Sequence, residues 1–310
     1  MRKTISIVTG TRNEEGNIRE WHQRVKKAIE STPRYHYEMI VIDNSSTDGC
    51  QSLLREIAAQ DPSFKVILNS RNFGHIRSPY HALLQAKGDA AIFLASDLQD
   101  PPEMIPDLIQ AWEQGAKSVV GIRDSSENSL FWEKIREIYY CLLNRLSETP
   151  LLKNFTGFGL YDKQILEYCR SLSDPYPYFR GQIAEIGLPV RELPYRQLRR
   201  KKGISKNNLY SLYDLAMLGI TNHSKIPLRL ATLSGFVLSL FSFLVGCGYL
   251  IYKFLFWDRF SLGVAPALIG LFFFCSVILF FIGILGEYIG AIHTQVLKRP
   301  LVVEKERINF

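Results

Sequence analysis

At 310 residues the chain is long enough for one sizeable domain plus something smaller. Its net charge of +7 is uneven: Lys and Arg crowd Arg196–Lys206 (RQLRRKKGISK) and the stretch after Lys298, a pattern that suits nucleic acid, anionic lipid or a phosphorylated substrate. Five cysteines (Cys50, Cys141, Cys169, Cys247, Cys275) show neither close pairing nor metal-ligand spacing, which excludes a disulfide scaffold and reads as reduced thiols.

The opening MRKTISIVTGT turns polar too soon for a secretory signal and reads as a first strand over Thr4–Thr9. It ends in Gly10-Thr11-Arg12-Asn13-Glu14-Glu15-Gly16, and a helix follows over Asn17–Ser31. Glu38–Ile42 is a second strand ending in Asp43-Asn44-Ser45-Ser46-Thr47-Asp48-Gly49, then Gln51–Gln60 is helical. Phe64–Asn69 is a third strand ending in Arg71-Asn72-Phe73-Gly74-His75, with a helix over Ser78–Ala86. Strict strand–helix alternation predicts a parallel, doubly wound α/β sheet whose polar loops gather along one edge. Asp43 stands where such a sheet places a carboxylate on a ribose or base. The first loop lacks G-x-G-x-x-G and the chain lacks G-x-x-x-x-G-K-[ST], which argues against a dinucleotide enzyme and a P-loop.

The central stretch is Ala90–Glu103, AAIFLASDLQDPPE. Its apolar start suits a buried parallel strand. Pro101-Pro102 stops it, because proline cannot donate to a ladder and pushes its predecessor out of helix. Asp97, Gln99 and Asp100 therefore cluster at the carboxyl end of a central strand, an oxygen-rich turn suited to Mg2+ or Mn2+. The same cluster also reads as an acidic turn capping a helix that begins near Glu103.

Lys117–Ile122 is another strand, ending at Arg123-Asp124. Ser129–Ser147 is helical and carries Lys134, Arg136 and Arg145, which alone would read as a solvated face. Asn154–Asp162 is a glycine-punctuated turn entering a strand, followed by a helix to Leu172. Pro175–Arg180 is a loop, Leu188–Tyr195 a late strand and Arg196–Asn207 a basic loop. Asn208–Thr221 has apolar residues at helical spacing and is placed along a membrane surface.

Ala231–Tyr252 and Ser261–Gly286 run 22 and 26 residues without a charge, each enough to cross about 30 Å of hydrocarbon. The linker Lys253–Phe260 is short and carries little positive charge. Lys and Arg flank the pair on its outer sides, so the positive-inside rule predicts a multi-pass hairpin in the cytoplasmic (inner) membrane with both chain ends cytoplasmic.

These motifs together resemble the polyisoprenyl-phosphate glycosyltransferases, the group of dolichol-phosphate mannose synthases and their bacterial undecaprenyl-phosphate relatives with two C-terminal membrane helices. The resemblance rests on Arg12–Ile18, Val41–Gly49, Arg71–His75, Asp97–Glu103, Gly203-Ile204-Ser205-Lys206 and Gly286-Glu287-Tyr288-Ile289-Gly290, in that order over nearly the whole chain. It implies a GT-A type nucleotide-sugar domain over 1–207, a juxtamembrane amphipathic helix over 208–225, a transmembrane hairpin over 226–290 and a basic cytoplasmic tail over 291–310. It implies transfer of one sugar from a nucleotide-diphosphate donor, UDP-sugar favoured, to a polyisoprenyl phosphate at the bilayer, and a homo-oligomer. By the same resemblance Thr11, Arg12, Glu14, Asp43, Ser96, Asp97, Arg200 and Lys206 contact the donor. Asp97 and Gln99 hold Mg2+ or Mn2+, and Arg123, Lys134 and Arg136 clamp the acceptor phosphate, which makes Asp97 and Arg123 the catalytic pair. Three positions depart from the family pattern: Ala95 opens the usual Asp-x-Asp, Asn44 follows Asp43 in place of a second Asp, and Asn154 stands where a carboxylate occurs in relatives.

The chemistry tolerates the last change. A lipid monophosphate has a second pKa near 6 and is largely dianionic at neutral pH, so it is already a nucleophile and needs no strong general base. A single displacement at the anomeric carbon with inversion follows. Glucose, galactose, N-acetylglucosamine, mannose and aminoarabinose donors all suit these motifs. The alternative is a non-catalytic, membrane-anchored protein that binds a nucleotide sugar or lipid phosphate. A processive synthase lacks support without a Gln-x-x-Arg-Trp motif or further spans. Nucleic acid is not an expected partner, since the basic loop lacks interleaved aromatics.

Overall fold

The computed structural model describes residues 2–123, 152–198, 209–256 and 264–310. An eight-stranded sheet forms its centre, in the order β7-β5-β6-β4-β1-β2-β3-β8. The strands are β1 (Thr4–Thr11), β2 (His36–Asp43), β3 (Phe64–Asn69), β4 (Ala90–Phe93), β5 (Ser118–Arg123), β6 (Phe155–Asp162), β7 (Val190–Tyr195) and β8 (Glu304–Ile308). β1 pairs in parallel with β2 and β4, β2 with β3, and β5 with β7, whereas β6 runs antiparallel to β4 and β5 and β8 antiparallel to β3. The sheet is thus mostly parallel, as expected, and β4 lies in its middle beside β1.

Alternation along the strands builds two cores. Ile5, Ile7, Met39 and Val41 face one side, where α1 (Glu15–Glu30), α2 (Cys50–Gln60) and α4 (Ile105–Glu113) contribute Trp21, Val25, Leu54 and Trp112. Val8, Ile40 and Ile42 face the other, against Tyr80 and Leu83 of α3 (Gly74–Leu84) and Ile165 and Leu166 of α5 (Lys163–Leu172). A period of two sends neighbours to opposite faces, and helices cover both. Residues 18, 21, 25 and 28 of α1 are buried, the stripe of a helix lying on a sheet.

Two elements differ from expectation. The segment read as a loop after Pro175 contains a short helix, α6 (Phe179–Glu185), which starts once Pro175 and Pro177 no longer block it. The last residues, read as a basic tail, return to the sheet as β8. Glu304, Lys305, Glu306 and Arg307 look solvated in sequence, but the fold supplies partners: Arg55 pairs with Glu306 at 2.7 Å and His81 with Glu304 at 2.6 Å. Asn309 donates to the carbonyls of Ala58 and Phe64 at 2.7 and 2.9 Å. β8 thereby covers the open edge of β3.

α7 (Leu209–His223) precedes α8 (Ile226–Leu255) and α9 (Val264–Leu297). α8 and α9 are long and apolar enough to cross a membrane, with Phe236 and Phe272 more than two-thirds exposed, a composition that marks membrane association. Polar bonds join the helices to one another and to the sheet domain. Tyr213 donates to Glu287 at 2.6 Å, Tyr288 to the Ser224 carbonyl at 2.7 Å, Tyr176 to Asp214 at 2.7 Å and Gln295 to Asp174 at 2.9 Å. Leu218 of α7 packs with Tyr178 and Ile76 at the head of α3.

Candidate active site

The carboxyl ends of β1–β5 and β7 open on one edge of the sheet, and the chain places its polar motifs there. After β1 and β2 the two loops bond to each other. Asn13 N donates to Ser46 Oγ at 2.8 Å, and Thr47 N to Asn13 Oδ1 at 2.8 Å. Asn13 and Ser45 both hold positive φ, which fixes a tight loop. Asp43 is fully buried; its carboxylate accepts Ser46 N and Gln51 Nε2, each at 2.9 Å, and Ser46 Oγ. Glu14 is buried at the start of α1 and accepts Asn17 Nδ2 at 2.6 Å. Thr11 turns inward beside Cys50, 3.8 Å away, and burial pushes the Cys50 thiol up to about 11, so it stays protonated at neutral pH. Arg12 is half-buried in the same loop.

Asn44 ties in the third loop. Its Nδ2 donates to Asn72 Oδ1 at 2.8 Å and to the Gly74 carbonyl at 2.9 Å, while its Oδ1 accepts Phe73 N at 2.8 Å and Asn69 Nδ2 at 3.3 Å. A carboxylate could accept but not donate, so this position requires an amide.

After β4 the chain makes a tight turn with Leu98 at φ 61°. Ser96 is buried and donates to the Gly10 carbonyl at 3.1 Å. Asp97 is half-buried; Gln99 N donates to its Oδ1 at 3.2 Å, and among the described residues no hydrogen bond reaches its Oδ2. Gln99 and Leu198 exchange backbone and side-chain contacts, Leu198 N to Gln99 O at 3.0 Å and Gln99 Nε2 to Leu198 O at 3.4 Å. Asp100 is almost fully buried, which raises its pKa; it accepts Tyr195 Oη at 2.7 Å and Ala95 N at 3.3 Å. At the end of β5, Arg123 Nη1 donates to Gln197 Oε1 at 2.6 Å. Lys134, Arg136, Arg200 and Lys206 lie outside the described residues.

The profile of glycosyl transferase family 2 matches residues 6–171, which span every one of these loops except that after β7. The chain belongs to glycosyl transferase family 2. A second profile, the GtrB C-terminal hairpin, matches residues 227–292, over α8 and α9. Among relatives, the SfII prophage-derived bactoprenol glucosyl transferase of Shigella flexneri is 34% identical over 97% of this chain and 97% of its own. The glycosyltransferase YkcC of Bacillus subtilis is 31% identical over 96% of this chain and 92% of its own. Among solved structures, a glucosyl-3-phosphoglycerate synthase from Mycobacterium tuberculosis aligns at a TM-score of 0.48 and 18% identity over 71% of this chain and 78% of that one.

In this family 2 glycosyltransferase the sequence-predicted residues divide by what already occupies them. Thr11, Glu14, Asp43 and Ser96 build the loops. Asp97 and Gln99 are presented at the edge, with Arg123 beside the exit of β7. Tyr195 and Gln197 carry no motif in the sequence, although a polar residue two positions past a late strand is a signal for Gln197, and Asn72 stands inside the Arg71–His75 motif without its role being marked. Among the described residues no three His, Cys, Asp or Glu side chains converge as a metal cluster. One carboxylate oxygen of Asp97 and the Gln99 amide oxygen do fit a hard cation that takes its other ligands from phosphate and water.

Proposed function

We propose that this enzyme transfers one sugar from a nucleotide-diphosphate donor, UDP-linked by preference, to a polyprenyl phosphate at the cytoplasmic face of the membrane, by single displacement with inversion. The observation that carries this reading is the turn after β4: Asp97 and Gln99 face the loop edge of a family 2 sheet that is tied, through α7, to two apolar helices. The relatives named as bactoprenol glucosyl transferases support a lipid-phosphate acceptor.

The loops after β1 and β2, stiffened by Asn13, Ser46 and Asp43, form the floor for the nucleoside, with Arg12 and Glu14 at its rim. Asp97 and Gln99 would hold Mg2+ or Mn2+ on the diphosphate, where the ion supplies Lewis-acid stabilisation of the leaving group. Arg200 and Lys206 neutralise the same diphosphate from the basic loop. Arg123, with Lys134 and Arg136, fixes the acceptor phosphate and offsets repulsion between two anions brought together. The acceptor oxygen attacks the anomeric carbon, the bond to the diphosphate breaks, and no proton need be removed from a dianionic nucleophile. The hairpin and α7 hold this edge beside the bilayer, both chain ends inside.

The test is transfer from a panel of radiolabelled nucleotide sugars to undecaprenyl phosphate by detergent-solubilised protein, with and without Mg2+ or Mn2+. One labelled lipid, lost on chelation, is the expected result. Labelled lipid that survives chelation removes the ion from the mechanism and shifts its role to Arg200 and Lys206. Binding of nucleotide with no product from any donor would favour a non-catalytic binding protein.

A further inference from the structure

Tyr195 ends β7, immediately before the basic loop, and no motif marks it. Its hydroxyl donates to Asp100 Oδ1 at 2.7 Å, and the other carboxylate oxygen of Asp100 accepts Ala95 N at 3.3 Å. Residues 95 and 100 are the two ends of the turn that displays Asp97 and Gln99. A single buried carboxyl therefore closes that turn, and the closing group is held from a different strand. Both partners are at least 95% buried, where an unmatched polar group is costly.

Further contacts run the same way. The Tyr195 ring meets Phe158 edge to face at a centroid distance of 5.1 Å, and its hydroxyl lies 3.4 Å from Thr156 Oγ1. Both rings lie over Gly121 of β5: a Cβ there would stand 2.5 Å from Phe158 and 3.1 Å from Tyr195. Two residues beyond Gly121, Arg123 bonds Gln197, and Leu198 pairs with Gln99. The ends of β4, β5 and β7 are thus fastened to one another, and the basic loop leaves from the fastened point.

We infer that Tyr195 is a positioning residue for sugar transfer: through Asp100 it holds the 95–100 turn in the shape that presents Asp97 and Gln99, and fixes that turn to the strand from which the basic loop departs. This rests on the reaction proposed above. The role of Tyr195 runs through Asp100 and not through a group of its own offered to substrate or ion. It acts by keeping Asp97 and Gln99 in the arrangement that the buried Asp100 carboxyl sets, and positioning of this kind is worth large rate factors when lost.

The experiment uses the full chain in detergent, as wild type, Tyr195→Phe, Asp100→Asn and Gly121→Ala. Tyr195→Phe keeps the ring and its contact with Phe158 and removes only the hydroxyl. Three readouts are taken: amide exchange at Ala95 and Leu198 on the free protein, Mn2+ affinity in the presence of UDP by electron paramagnetic resonance, and kcat and KM for each substrate. In Tyr195→Phe both amides exchange faster, Mn2+ binding with UDP weakens about tenfold and kcat falls about tenfold, with acceptor KM unchanged. Asp100→Asn repeats the pattern, and Gly121→Ala, which presses on the rings without removing a polar atom, gives a weaker version.

Faster exchange with unchanged Mn2+ affinity and kcat would make the contact merely structural and overturn the inference. Unchanged exchange in Tyr195→Phe would overturn it directly, because the turn would then be closed without the hydroxyl. If wild type itself transfers no sugar, the proposed reaction fails, while exchange and Mn2+–UDP binding still decide whether Tyr195 shapes the turn.

Discussion

The loop after β2 and the turn after β4 look alike in sequence, each a short acidic stretch at the end of a buried strand, yet the fold uses them in opposite ways. Asp43 is sealed and accepts three hydrogen bonds from Ser46 and Gln51. Among the described residues Asp97 accepts one, from its own turn, and its other oxygen takes none. The difference lies in the neighbours. After β2 the chain offers Ser46, through its N and Oγ, and Gln51, through its Nε2, as donors to the carboxylate, so the carboxylate is consumed in building the loop. After β4 the building is delegated to Asp100 and Ser96, which leaves one Asp97 oxygen uncommitted among the described residues. A carboxylate at a sheet edge is therefore informative about chemistry only once the local donors have been counted.

The sharpest way to break this comparison is to remove each carboxylate. Asp97→Ala should lower kcat for transfer by about three orders of magnitude with the melting temperature nearly unchanged, the loss expected when a site's main charge-stabilising group goes. Asp43→Ala should do the reverse in kind: Ser46 and Gln51 lose a buried acceptor at a cost of about 1–3 kcal/mol, read as a lower melting temperature along with weaker nucleotide binding. Near-normal turnover in Asp97→Ala would show that its second oxygen is unused.

Arg123→Ala comes next in size. Its guanidinium sits at the end of β5 with Gln197 as partner. Loss of a charged hydrogen bond to the acceptor phosphate is worth about 1.5–3 kcal/mol, so the acceptor KM should rise tenfold or more while nucleotide affinity, measured by calorimetry, holds. An equal loss on both sides would assign Arg123 to the donor half of the site.

Asn44 tests the saturated side from within. Asn44→Asp replaces an amide that donates to Asn72 and Gly74 by a group that can only accept. The expected loss is about 1–3 kcal/mol in stability from two facing acceptors, with no gain in nucleotide affinity from the added charge. A variant as stable as wild type would mean that the third loop is held elsewhere.

Much of this was readable before the structure. The Ala90 strand declares itself by an apolar run stopped at Pro101-Pro102, and it is indeed central. The two apolar helices declare themselves by length. Strand–helix alternation places the polar loops along one sheet edge, and the topology has them there. Their internal roles were not legible, because whether Asp43 faces a ligand or Ser46 depends on where Asn13 and Gln51 arrive in three dimensions. β8 was hidden for the same reason. Its alternating Glu304, Lys305, Glu306 and Arg307 read as solvated until Arg55 and His81, more than 200 residues earlier, supply partners. The reversal of β6 was equally invisible, since strand direction is set by connections and not by the strand's own residues.

The smallest effect tests the same rule far from the site, at Asp61 after α2. Like Asp43 it is saturated, by Ser63 Oγ at 2.6 Å, Ser63 N at 3.0 Å, Lys26 at 3.0 Å and His22 at 3.2 Å. Burial alone would raise its pKa, but these donors outweigh burial and bring it down to about 2. An unfolded Asp titrates near 3.9. The folded value is the lower one, so the bonds stabilise the protein in full above about pH 4, and that contribution fades as pH falls towards 2. Urea midpoints measured across this window should decline in wild type, and the decline should be shallower in Asp61→Asn, which has no carboxylate to protonate. Identical slopes in the two proteins would mean that these four contacts do not hold the charge, and that saturation read from geometry overstates what a carboxylate at a loop contributes.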